Sequence, residues 1–126
     1  MSESAVNLER LRIELEKRQH FRIPTSIAAT WRTVDGTESG ELRIVNLGLG
    51  GARADFPVEP RLAADIIVVL PAQQGTILQS AVEIPASVCW TVANRTTGPF
   101  PSGLQFPALD QKLKRRLFEY IAVQMD

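Results

Sequence analysis

From Ser26 to Phe106 the sequence reads as a succession of short strands divided by turn signals, and this constrains the fold more than any other feature. "IAATWRTV" runs into Asp35-Gly36, a dipeptide suited to the positive-φ positions of a tight hairpin, and "ELRIV" is the returning strand. "ARADF" alternates Ala52, Ala54 and Phe56 with Arg53 and Asp55, the period of a strand with one buried face. "DIIVVLP" is almost continuously apolar and ends at Pro71, which has no N–H to give a ladder. "ILQSAVEIPASVCWTV" reads as one long or bulged strand with its irregularity at Pro85, and "SGLQF" closes the series. About six strands at this spacing predict a small antiparallel barrel, which leaves no open sheet edge.

The flanks change period. Leu8, Leu11 and Leu15 recur at helical spacing between charged residues, predicting an amphipathic helix over residues 5–17. Pro24 disfavours helical geometry at Ile23, so residues 18–23 are expected to be a loop. After the strands, Leu113, Leu117, Tyr120 and Ile121 return to helical spacing, with Asp110 as the expected N-cap. The chain has 126 residues, enough for one ordinary domain. The expected division is an N-terminal helix over 1–17 and a barrel with its C-terminal helix over 18–126.

With 44% hydrophobic and 22% charged residues, the chain has the balance of a globular protein rather than a disordered one. Fourteen basic residues offset fourteen acidic ones, so a broad DNA or RNA sheath is not expected and any anion site must be local. The single cysteine, Cys89, excludes an intrachain disulfide and is expected to be a small buried hydrophobe in its strand. The N-terminal residues lack the apolar core of a secretory signal, and no apolar run reaches membrane-spanning length. A cytoplasmic protein without membrane or metal partners is the expectation. The sequon Asn94-Arg95-Thr96 is then a chance match.

Two segments could hold a ligand. "KRQHFR" presents Lys17, Arg18 and Arg22 with no acidic residue among them. One reading is a set of solvated cations at a helix C-terminus, where the helix dipole favours them. The other is a pair of guanidinium forks, which match phosphate oxygens and the O6 and N7 of guanine. "NLGLGG", residues 46–51, reads either as a bulged or positive-φ turn or as a backbone stripped of side chains so that a ligand can approach. It is neither a dinucleotide-binding G-x-G-x-x-G, since Arg53 occupies the third position, nor a P-loop, since no Lys-Ser or Lys-Thr follows. Asn46 adds an amide with both donor and acceptor.

Arg18-x-x-x-Arg22 followed by Asn46-x-Gly48-x-x-Gly51, with "SGLQF" as a late G-x-x-F strand, resembles the PilZ domain family. The resemblance spans roughly residues 17–124. Members of that family are bacterial receptors for the second messenger cyclic di-GMP, built on a six-stranded barrel with a C-terminal helix. The resemblance implies that Arg18 and Arg22 wrap the ligand, that Asn46 reads a guanine edge and that Gly51 permits close approach. Lys17, just before the first arginine, occupies a position that influences whether one ligand or an intercalated pair is bound, and His20 is a lesser contact. One departure stands out: the motif serine is Gly48 here, and a lost hydrogen bond to a charged group costs about 1.5–3 kcal/mol.

The expected function is therefore a non-enzymatic cyclic di-GMP receptor with no cofactor, signalling through loop ordering and altered binding to a protein partner. The alternative is a degenerate PilZ adaptor in motility or pilus assembly, acting through protein contacts alone. An enzyme has little support from one histidine, one cysteine and no paired carboxylates. Single-stranded nucleic-acid binding is disfavoured by the neutral charge and few aromatics. Trp31 and Trp90 are expected to be packing residues, and Lys112, Lys114, Arg115 and Arg116 a solvated helix face.

Overall fold

A computed structural model describes residues 22–92 and 95–125. Six strands, β1 (Arg22–Thr33), β2 (Ser39–Gly48), β3 (Gly51–Phe56), β4 (Asp65–Leu70), β5 (Val82–Thr91) and β6 (Phe100–Gln105), precede helix α1 (Gln111–Met125). The strands close into a barrel in the order β1-β2-β3-β6-β5-β4, and every pairing is antiparallel. The expected helix over residues 5–17, and with it the boundary at 17/18, lies outside the described residues.

Alternation fills the interior. Ile27 and Ala29, Leu42 and Ile44, Ala52, Ala54 and Phe56, and Ile66, Val68 and Leu70 point inward from their strands. Val82, Ile84, Ala86 and Val88 complete the ring with Phe100 and Leu104. Ser102 is a buried polar residue on this face, and its hydroxyl is satisfied by Thr91 Oγ1 at 2.9 Å and the Phe100 carbonyl at 3.1 Å.

α1 closes the end of the barrel where β1 begins and β4 ends. Asp110 caps it as expected, its carboxylate accepting the Leu113 N–H at 2.8 Å. Leu117, Tyr120 and Ile121 are fully buried. The Tyr120 hydroxyl donates to the Pro71 carbonyl at 2.7 Å, and burial pushes its pKa up, so it remains a donor. Arg116, expected on the solvated face, instead donates to Ser80 Oγ at 2.7 Å and the Ala81 carbonyl at 3.2 Å.

The structure corrects several boundaries. Arg22 and Ile23 begin β1 rather than ending a loop, because Ile23 is buried and pairs with Leu47. The strand irregularity in β5 falls between Val88 and Trp90, not at Pro85, which pairs in register with Ile67. Leu78 is buried, but residues 77–81 precede β5 rather than belonging to it. The β1–β2 turn is longer than a two-residue Asp-Gly hairpin. The Asp35 carboxylate closes it by accepting from the Thr37 N–H at 3.0 Å and from the hydroxyls of Thr33 and Thr37 at 2.7 and 2.8 Å.

Those bonds, the Thr37 N–H foremost, lower the Asp35 pKa from 3.8 to about 2. A depressed carboxylate stabilises the fold above its unfolded pKa and loses that contribution as pH falls through its folded value. Asp35→Ala should lower the thermal midpoint at pH 7, and the gap from wild type should narrow between about pH 4 and pH 2. Ala63 stands at φ 64, where a β-carbon crowds the following carbonyl. Ala63→Gly should therefore raise stability by up to about 1 kcal/mol in urea unfolding, relief of strain outweighing the added chain entropy.

Candidate functional site

The glycine stretch is a tight hairpin. Asn46, Leu47 and Gly48 end β2, Leu49 and Gly50 form the turn, and Gly51 opens β3. Among the described residues the glycines at positive φ are Gly36 and Gly75, so Gly48 and Gly51 matter for their missing side chains and not for unusual dihedrals. A β-carbon on Gly51 would overlap the Leu104 carbonyl oxygen of β6 and lie 3.0 Å from Arg22 Nη2. The exposed Arg22 guanidinium thus lies across bare backbone, with Gly48 directly opposite Arg22 in the ladder.

A second row runs beside this one. Pro24 pairs with Asn46, Asn46 with Arg53, Arg53 with Gly103 and Gly103 with Trp90, across β1, β2, β3, β6 and β5. Directly paired residues share a face, so these side chains all stand on the outside of the barrel. From Asn46 to Trp90 is three strand spacings, about 14 Å along the sheet. The Asn46 Oδ1 accepts the Arg53 backbone N–H at 2.9 Å, which fixes the amide and turns its donor half toward other partners. The Arg53 guanidinium sits 5.9 Å from the Trp90 ring centroid, in cation–π range. The indole lies flat over Gly103, where any β-carbon would collide with it.

Of the residues singled out in the sequence, Arg22, Asn46, Gly48 and Gly51 come together on this face. Lys17, Arg18 and His20 lie outside the described residues. Trp31 is a packing residue as expected, partly buried and edge-on to Phe56 with ring centroids 6.3 Å apart. Trp90 is not: it is 42% exposed and faces outward with Arg53. Arg53 and Trp90, which share this face, were not among the ligand contacts expected from the sequence. Arg53 carried a signal, lying two positions beyond Gly51 and hence on the same face. Trp90 carried none, because the extra residue between Val88 and Trp90 changes which face it takes. That extra residue is Cys89, which is exposed rather than buried, its thiol 3.3 Å from the Gly103 carbonyl.

Two guanidiniums, an amide offering donors, glycine backbone and an indole face suit a planar ligand carrying phosphates. Among the described residues no group of three His, Cys, Asp or Glu could hold a metal ion, and no helix is long and apolar enough to cross a membrane.

Comparison of the sequence with curated proteins gives no match. Solved structures share the fold. The PilZ domain of CeSA from a cellulose-synthesizing bacterium superposes with a TM-score of 0.64 at 13% identity, over 84% of this chain and 99% of that one. The PilZ domain of YcgR from Escherichia coli, solved with c-di-GMP, gives 0.62 at 17% identity, over 86% and 91%. MotI/DgrA, an inhibitor of motility from Bacillus subtilis, gives 0.64 at 12% identity, over 86% of this chain and 50% of that one. The PilZ domain model matches residues 16–123, nearly the full length, and the chain belongs to the PilZ domain family.

Proposed function

We propose that this protein is a non-enzymatic, cytoplasmic receptor for cyclic di-GMP that passes the signal to a protein partner. The observation that carries the reading is the exposed Arg22 guanidinium lying across Gly51, its Nη2 3.0 Å from where a β-carbon would stand. Arg22 then bonds a phosphate or the O6 and N7 of a guanine, and Arg18 supplies a second fork. With its acceptor taken by Arg53, Asn46 presents donors, which suit the acceptor edge of guanine. Arg53 and Trp90 extend the surface toward a base plane. Since β1 is already formed at Arg22, closure over the ligand falls to residues 17–21, including Lys17 and His20. Such closure shifts partner binding only through a difference in ligand affinity between open and closed arrangements.

A second reading has its own observation. Gly48 lacks the motif hydroxyl, which favours an adaptor that works through protein contacts without nucleotide. Titration calorimetry with cyclic di-GMP, using GTP and cyclic di-AMP as controls, separates the two. Saturable heat with cyclic di-GMP alone supports the receptor, and none with a folded protein supports the adaptor.

Arg22→Ala should weaken cyclic di-GMP binding by about ten- to hundredfold or more, the loss of one or more hydrogen bonds to a charged group. Because the side chain is exposed, the thermal midpoint without ligand should hardly move; a large drop would mark Arg22 as structural. Gly48→Ser tests the departure directly. Residue 48 is in strand geometry, outside the positive-φ region that disfavours serine, so a recovered hydroxyl contact should tighten binding by up to about 1.5–3 kcal/mol. Affinity and midpoint are measured on the same variant, and tighter binding at unchanged stability is the expected result.

A further inference from the structure

The barrel end opposite α1 is built differently from the end that α1 closes. It holds a pocket of about 500 Å³ whose floor includes Trp31, Phe56, Ile66 and Val88. This volume falls in the range of sites that take a ligand or a large side chain. A second depression of about 610 Å³ adjoins it, sharing Thr33, Thr37, Arg61 and Ala64. Val58 at 74%, Val34 at 70% and Leu62 at 63% exposure line the two, so solvent-facing aliphatic side chains gather here. Exposed apolar residues gathered around a concavity mark interaction surfaces more often than scattered ones do.

The charge around these pockets is one-sided. Asp35, Glu38, Glu41, Glu59 and Asp65 are all exposed, and among the described residues Arg61, which bonds Glu38 at 2.8 Å, is the single cation in either lining. The whole chain is neutral, so this is a concentration of negative charge at one end and not a general acidity. The Trp31 indole lies over Gly40, its Nε1 2.9 Å from where a β-carbon would stand. The wall is set in advance: the 57–64 segment is tied to β5 by Ala63 N–H to the Val88 carbonyl at 2.8 Å and Val88 N–H to the Ala64 carbonyl at 3.1 Å. The left-handed Ala63 lies within that segment, a conformation that persists only where its surroundings enforce it.

We infer that this barrel end docks an extended basic segment of a protein partner, one bulky apolar side chain entering the Trp31 pocket and flanking lysines or arginines meeting the carboxylate rim. The apolar anchor removes water around Trp31 and Phe56, and the rim charges steer the encounter and select against acidic segments. The site is separate from the glycine face and does not depend on nucleotide binding.

The test uses the full chain and a displayed library of random twelve-residue peptides. Selected peptides should combine a large apolar residue with two or more lysines or arginines. A synthetic copy should shift the Trp31 indole N–H resonance and leave that of Trp90 in place. A Glu41→Lys/Glu59→Lys double variant, both positions exposed, should keep the wild-type thermal midpoint and bind that peptide at least tenfold more weakly. Absence of enrichment, selected peptides without basic residues, or a shift confined to Trp90 would overturn the proposal. Sedimentation velocity supplies the remaining arm: self-association of the wild type that the double variant abolishes would assign the surface to a second copy of this chain and also overturn it.

Discussion

Thr30, Trp31 and Arg32 are paired on both sides, with Glu41, Gly40 and Ser39 of β2 and with Val69, Val68 and Ile67 of β4. This double pairing turns a six-stranded sheet into a ring. Without it β1 and β4 would each expose an unpaired row of N–H and carbonyl groups, a template for aggregation. With it, the register of every strand is fixed by two neighbours, and a one-residue slip would turn a strand's whole apolar set outward. The nearby Arg32–Glu83 ion pair, at 2.6 Å but half exposed, adds at most about 1 kcal/mol, so closure rests on the ladders and the buried interior.

A closed ring of this size has two ends and an outer wall, and the chain treats the three differently. One end receives α1, whose Leu117, Tyr120 and Ile121 complete the core. The other end relies on Trp31 and Phe56, two rings in edge contact that leave a concavity beside them. On the wall, glycines at 48, 51 and 103 remove side chains where β1, β2, β3, β6 and β5 run side by side. Gly51 and Gly103 each admit a large neighbour, the Arg22 guanidinium and the Trp90 indole. The same absence of a β-carbon thus serves packing and recognition at once.

Much of this was legible in the residues. Alternation in "ARADF" and the apolar "DIIVVLP" located β3 and β4, and the helical spacing of Leu117, Tyr120 and Ile121 located α1 with its Asp110 cap. Arg22, Asn46, Gly48 and Gly51 were legible because their ordered spacing is itself a motif. The rest depended on pairing between strands distant in sequence. Nothing local to Pro85 or Cys89 says which of them interrupts the ladder; that is settled by β6, which pairs with Val88 and then skips to Trp90. The same skip hides the exposure of Trp90 and Cys89. At Ile23 the rule about the residue before proline excludes helix and permits strand or loop alike, and the choice of strand came from its burial and its pairing with Leu47.

The skip at Cys89 makes a single residue act as a switch of parity. Val88 faces in opposite Leu104, Trp90 faces out opposite Gly103, and Thr91 faces Ser102 and bonds its hydroxyl at 2.9 Å. Were Cys89 instead paired in a regular ladder, it would take the place opposite Gly103, Trp90 would fall opposite Ser102 and point into a filled interior, and Thr91 would be turned outward. Register shifts also interrupt β1 between Pro24 and Ile27 and β2 between Ile44 and Asn46, next to the other members of the same row. The aim of this surface is therefore set partly by where the ladders skip a residue. A strand that skips one residue against its partner turns over every side chain beyond the skip, which no substitution of a single side chain can do.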